Sequence, residues 1–149
     1  MSVLRRFYGA FAARDAATMA ASYADDARFS DPAFQDLNAT EVRAMWKMLL
    51  GRSEDLRVKF KVLEEDAHRG VCEWHAYYTF SSTGRKVHNI VRSEFELRDG
   101  RIVRQQDRFD FWRWSRQALG VPGWLLGWSP MLRGKVRRTA RAALDRAMR

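Results

Sequence analysis

The chain has 149 residues, 46% of them hydrophobic and 13% aromatic, which suits one domain with a real core and excludes a disordered chain. Its net charge of +9 is gathered at one end: from Ser129 to Arg149 seven Lys/Arg face only Asp145, leaving +3 on the other 128 residues, so the basic balance is no nucleic-acid footprint. One cysteine, Cys72, excludes an internal disulfide framework and a cysteine metal cluster, and Met1 to Arg6 lacks the apolar run of a signal peptide, so a cytoplasmic protein is expected.

In chain order, Leu4, Phe7, Tyr8 and Phe11 recur at helical spacing and predict a helix over 3–13. Asp15 is placed to cap a short helix from Ala16 to Tyr23. Asp25-Asp26 then reads as a turn and Ala27 to Asp31 as a strand, with Ala27, Phe29 and Asp31 on one face. Pro32 holds Asp31 in an extended conformation. A carboxylate on the face that Phe29 marks as buried is costly unless it is paired, neutralised or used. Asn38 to Glu41 has the form of a capping box and opens a helix carrying Val42, Met45, Trp46, Leu49 and Leu50, stopped at Gly51.

From Leu56 the period becomes two: Leu56, Val58, Phe60 and Val62 alternate with Arg57, Lys59 and Lys61. After a turn at His68 to Gly70, the run Val71 to Phe80 is apolar on both faces and predicts a central or doubly covered strand. A turn at Ser81 to Gly84 leads to a strand with Val87, Asn89, Val91, Ser93, Phe95 and Leu97 on one face. Arg98-Asp99-Gly100 is a hairpin signal, and the last strand puts Val103, Gln105, Asp107, Phe109 and Phe111 on one face. These elements make an α+β arrangement, a curved and mostly antiparallel sheet whose concave face is closed by helices.

Beyond 112 the chain changes character, and residues 113–149 read as an added helical tail on the domain of residues 1–112. Residues 120–130 are apolar and broken by Gly and Pro. Ser129 and Pro130 then open a final helix with positions 132, 136, 140, 143, 144 and 147 on its apolar face and the basic residues elsewhere. Packing of Trp124, Leu125, Leu126 and Trp128 on the domain or on a dimer mate is the favoured reading of this tail, over contact with an anionic membrane surface.

Asp31 and Asp107 are the two acids that strand alternation sends inward. Buried carboxyls with raised pKa values suit general acid or base work, and the plainer reading is a structural bond to a nearby Ser, Asn or Arg. Asn89 and Gln105, on the predicted inner face, are candidates to orient a ligand carbonyl or water. Tyr8, Phe29, Phe34 and Phe109 would line an apolar pocket. His68, His75 and His88 show no metal-ligand spacing, so neither a metal site nor a cofactor is expected.

The start Tyr23-Ala-Asp-Asp-Ala followed by Asp31-Pro32, a helix, and a meander ending in Asp99-Gly-Arg-Ile102 resembles the nuclear transport factor 2-like superfamily, nearest to its SnoaL-like polyketide cyclases and ketosteroid isomerases. The resemblance covers roughly residues 3–112. It implies a cone-shaped pocket and a homodimer formed through the sheet. It gives Asp31 the place of the isomerase's proton-shuttling base and matches Asp107 to the catalytic acid on the last strand of the cyclases. The isomerase's oxyanion tyrosine falls at Phe7, beside Tyr8, and its protonated aspartic acid falls near Ser93 or Val91. The activity so implied is isomerisation, cyclisation or hydrolysis of an apolar carbonyl-containing small molecule of steroid, polyketide or terpenoid type. The alternative is a non-catalytic ligand- or protein-binding module built on the same fold.

Overall fold

The computed structural model describes residues 2–149. Helix α1 (Val3–Ala12) is capped by the Ser2 hydroxyl, which accepts from the Arg5 amide at 3.0 Å, and it buries Leu4, Phe7, Tyr8 and Phe11 as their spacing predicts. Asp15 caps α2 (Ala16–Ala21), which ends two residues before the expected Tyr23. Strand β1 (Tyr23–Ser30) begins there, so the turn expected at Asp25-Asp26 does not exist. Those two exposed acids sit where the pairing of β1 with the last strand shifts register, between Tyr23 and Arg28. A bulge takes up what reads in the sequence as a turn. The short strand β2 (Leu37–Asn38) leads into α3 (Ala39–Arg52), opened by a complete capping box between Asn38 and Glu41.

The meander follows as β3 (Arg57–Glu65), β4 (Arg69–Phe80), β5 (Arg85–Arg98) and β6 (Arg101–Arg108). Asp99 and Gly100, both with positive φ, turn the chain between β5 and β6. The six strands lie in the order β2-β1-β6-β5-β4-β3, antiparallel except for the parallel pair β1–β6. This parallel closure sets Ser30 beside Gln106, and so brings Asp31 next to the end of β6. A register shift between Glu96 and Leu97 puts Ile102 in the core and leaves Val103 half-buried, the reverse of strict alternation.

The concave face is filled by the protein's own aromatic rings. Phe7 meets Tyr8, Tyr23, Trp46 and Phe95 edge to face at 5.0 to 6.3 Å, and Phe11 packs on Trp46 and Trp74 at 4.9 and 5.2 Å. Behind them β4 buries Cys72, Trp74 and Ala76 on one face and leaves Val71, Glu73, His75 and Tyr77 half-buried on the other. The apolar character of β4 on both sides therefore does not come from double coverage within this chain.

After β6 come α4 (Phe111–Leu119), α5 (Val121–Leu126) and α6 (Pro130–Ala147). Helix α4 docks on the β4–β5 hairpin: Trp114 Nε1 donates to the Tyr78 hydroxyl at 2.9 Å, and the His88 amide donates to Gln117 Oε1 at 2.6 Å. Helix α6 returns across α3 and the connection between β1 and β2. Its Leu144 is fully buried, Arg137 Nε donates to the Pro32 carbonyl at 3.0 Å, and Arg141 pairs with Glu41. Helix α5 is different. Trp124, Leu125, Leu126 and Trp128 are 57%, 60%, 40% and 69% exposed, so of the two coverings expected for them, the domain or a dimer mate, their own domain does not supply one. No helix among the described residues is long and apolar enough to cross a membrane.

Candidate functional site

Asp31 and Asp107 line one open cleft of about 380 Å³ at the mouth of the cone, together with Pro32, Gln106, Phe109, Phe111, Arg133 and Arg137. Asp31 is held by its own turn. Its Oδ1 accepts from the amides of Ala33 and Phe34 at 2.7 and 2.6 Å, and its amide donates to the Phe34 carbonyl at 2.7 Å. The Asp-Pro step thus fixes the carboxyl against the backbone just past the end of β1. One oxygen is occupied by these amides. Burial still outweighs them and lifts the group from its ordinary 3.8 to about 6.

Asp107 lies deeper, on the inner face of β6 at 2% exposure. Burial lifts its pKa to about 7, Ser93 and Gln105 pull it back, and the charge of Asp31 pushes it further up. The two acids therefore sense one another across the cleft. Gln105 Nε2 donates to Asp107 Oδ1 at 3.0 Å, while Gln105 Oε1 accepts from the Tyr23 hydroxyl at 2.5 Å and Tyr23 accepts from Trp46 Nε1 at 2.8 Å. A chain of fixed donors so runs from α3 through β1 to β6 and ends on the carboxyl. Ser93 is the cross-strand partner of Asp107 and accepts from Trp74 Nε1 at 2.7 Å. The Tyr8 hydroxyl is fully buried near Ser93 and Asp107, close enough for both to act on its acidity, yet it completes no hydrogen bond of good geometry.

Of the other residues that the sequence singles out, Phe109 lines the cleft and Gln105 supports it from behind. Tyr8, Phe29 and Phe34 belong to the packed core, and Asn89 is half-buried on β5 away from the cleft lining. No cluster of three or more His, Cys, Asp or Glu suited to a metal occurs among the described residues. Four contributors, Tyr23, Tyr78, Arg133 and Arg137, carry no sequence signal of their own. Tyr23 reads as the end of a helix and proves to be a relay. Tyr78, half-buried, has its acidity lowered by burial and by the charge of Asp31. Its oxygen accepts from Trp114, leaving its own proton free to donate. Arg133 and Arg137, which read as solvated tail charges, face the cleft from α6, and neither forms an ion pair among the described residues.

The same architecture recurs in solved structures. IdmH, a putative polyketide cyclase from Streptomyces antibioticus, matches over 80% of this chain and 96% of its own at 20% identity and a TM-score of 0.66. An LEH-like epoxide hydrolase of M. tuberculosis matches over 83% and 92% at 20% identity and a TM-score of 0.63. A protein of ketosteroid isomerase-like fold from Catenulispora acidiphila, in complex with trimethylamine, matches over 87% and 98% at 13% identity and a TM-score of 0.68. At these identities the likeness is one of fold. Among curated protein sequences none matches this chain. The SnoaL-like domain model matches residues 4–105, from the first helix to Gln105, and the chain belongs to that family within the nuclear transport factor 2-like superfamily.

Proposed function

We propose that the chain is an acid–base enzyme that needs no cofactor and acts on an apolar carbonyl-containing small molecule held at the Asp31–Asp107 cleft. The observation that carries this is the pair itself: two carboxyls on one cleft, lifted to about 6 and about 7, so that one titrates just below neutral pH and the other at it. At neutral pH Asp31 is mostly ionised, while Asp107 keeps its proton in about half of the molecules. Asp31 removes a proton α to the carbonyl. Asp107, aimed by Gln105 and Tyr23, donates a hydrogen bond to the oxygen on which charge develops, and Asp31 returns its proton at another carbon. The Tyr78 hydroxyl is a second donor at the same mouth. The ring-filled interior confines the substrate to the mouth, so a flat or compact molecule suits this cleft better than one threaded into the cone.

A second reading, a binding module without turnover, is favoured by that same filling, since Phe7, Tyr8, Phe29, Trp46, Trp74 and Phe95 leave the cone no empty interior. In either case we take the half-buried outer face of β4, with Tyr77 stacked on His88 at 4.3 Å, as the surface through which two copies pair.

Exchange of α-protons for deuterium in a panel of apolar ketones, followed by NMR, tests the enzymatic reading without knowledge of the natural substrate. Exchange by the wild type that falls at least a hundredfold in Asp31→Asn is expected, the ordinary worth of a positioned base. Full exchange by Asp31→Asn and Asp107→Asn refutes it. Ligands that bind at the cleft with no exchange leave the binding module in its place.

A further inference from the structure

The protein exposes eight large hydrophobic side chains among the described residues, and six of them fall between Val121 and Met131. Val121, Trp124 and Leu125 share a face of α5 at intervals of three and four, and the equally exposed Trp128 and Met131 carry the apolar stripe through the turn after α5 into the first turn of α6. The stripe is no loose end. Gly123 lies so near α4 that a Cβ there would be 1.9 Å from the Ser115 carbonyl oxygen, and Trp112 Nε1 donates to the Trp124 carbonyl at 3.0 Å. The backbone is held tightly while its apolar side chains face outward. Helix α6 continues this surface with charge. Its inner face buries Ala143 and Leu144, while Lys135, Arg138 and Arg146 are exposed on the side that Met131 marks as outward. From Phe111 to Arg149 there are nine Lys/Arg against the single Asp145.

We propose that the Val121–Met131 stripe and the outer face of α6 dock on the surface of an anionic lipid bilayer. Trp and Leu side chains enter the boundary between headgroups and acyl chains, and the basic residues lie over the anionic headgroups. The charge decides between this occupant and a second copy of the chain. Two stripes laid together would bring Lys135 and Arg138 of both copies toward one seam, where the single acid of α6, Asp145, is already paired with Arg141. A negatively charged lipid surface complements both parts at once. The polarity also suits a surface contact rather than a span, because the apolar stripe covers only one side of the helices.

Co-sedimentation of the full chain with vesicles tests this, using phosphatidylcholine alone and phosphatidylcholine with one part in four phosphatidylglycerol. Binding to the anionic vesicles that weakens with salt, and a blue shift of tryptophan emission on binding, are expected. Replacing Lys135→Gln and Arg138→Gln together lowers the partition by about thirtyfold, since each basic residue near such a surface is worth about a fivefold gain. Trp124→Ala with Trp128→Ala abolishes binding while circular dichroism stays unchanged, as both side chains are exposed in the free protein. Absence of binding to either vesicle overturns the proposal. So does binding that the Lys135 and Arg138 changes leave intact. Concentration-dependent dimers that the Trp124 and Trp128 changes dissolve overturn it in favour of a second copy.

Discussion

Asp107→Asn isolates the cost of keeping a carboxyl beneath the aromatic core. The folded pKa of Asp107, about 7, lies above its ordinary 3.8, so the folded state holds the proton more tightly than the unfolded chain does. Its contribution is therefore fully present below about pH 4 and is lost as pH rises through about 7. That interval is about three pH units at about 1.4 kcal/mol each, or about 4 kcal/mol in full. Between pH 5 and pH 8 the wild type loses about 2.5 kcal/mol on this account, while an asparagine, which does not ionise, loses none. Asn keeps the size of the side chain and can still accept from Gln105. Urea unfolding of both proteins at pH 5 and pH 8 measures the difference directly. Asp15, Asp26, Asp55 and Asp66, whose pKa values are lowered by their hydrogen bonds, act in the opposite direction but are common to both proteins. The variant is expected to gain on the wild type by about 2.5 kcal/mol between the two conditions. An equal difference at both pH values, or a wild type that gains on the variant from pH 5 to pH 8, would refute a desolvated Asp107.

With a substrate in hand, the rate follows a narrow bell, rising through about 6 as Asp31 ionises and falling through about 7 as Asp107 gives up its proton, both values belonging to the coupled pair. Asp107→Asn removes the alkaline fall, and a persistent bell in that variant would assign the upper limb elsewhere. Tyr8→Phe deletes a buried hydroxyl without a bond and is expected to raise stability by about 1 kcal/mol in thermal unfolding. A loss of that size would instead mean that Tyr8 does bond to Ser93 or Asp107. Gly123→Ala drives a methyl group into the Ser115 carbonyl, so α5 should part from α4 at a cost of about 1–3 kcal/mol. Limited proteolysis between residues 119 and 130 reads this as faster cleavage, and unchanged cleavage would show that α5 does not depend on the close approach.

The fold was legible because its signals are local. The Asn38–Glu41 capping box, the Asp15 cap and the Asp99-Gly100 hairpin each depend on residues within a turn of one another. Alternation sends Asp107 inward on β6, whereas Asp31 lies one residue past the end of β1 and takes its place from the Asp-Pro turn. Bulges broke the reading where a single strand cannot announce them: Asp25-Asp26 looks like a turn, and Ile102 takes the place that strict alternation gives to Val103. The remainder is a matter of distance along the chain. Arg137 meets Pro32, and Trp114 meets Tyr78, only because α6 and α4 fold back over the sheet. No pattern within the tail marks that return. Nor does amphipathic spacing tell a buried stripe from an exposed one, so the sequence leaves open whether Trp124 and Trp128 are covered by their own domain, by a dimer mate or by neither.

The parallel pairing of β1 with β6 joins the first strand of the sheet to the last, and this bears on how the protein is made. During synthesis β1 emerges early and waits for its neighbour until nearly the whole meander has left the ribosome. In that interval an open strand edge bearing Phe29 stands beside an unfinished core, the kind of surface that recruits other chains. Chains cut short before β6 should accordingly precipitate or be degraded rather than persist as partly active fragments. The acids acquire their shared environment in the same late step that seals the sheet.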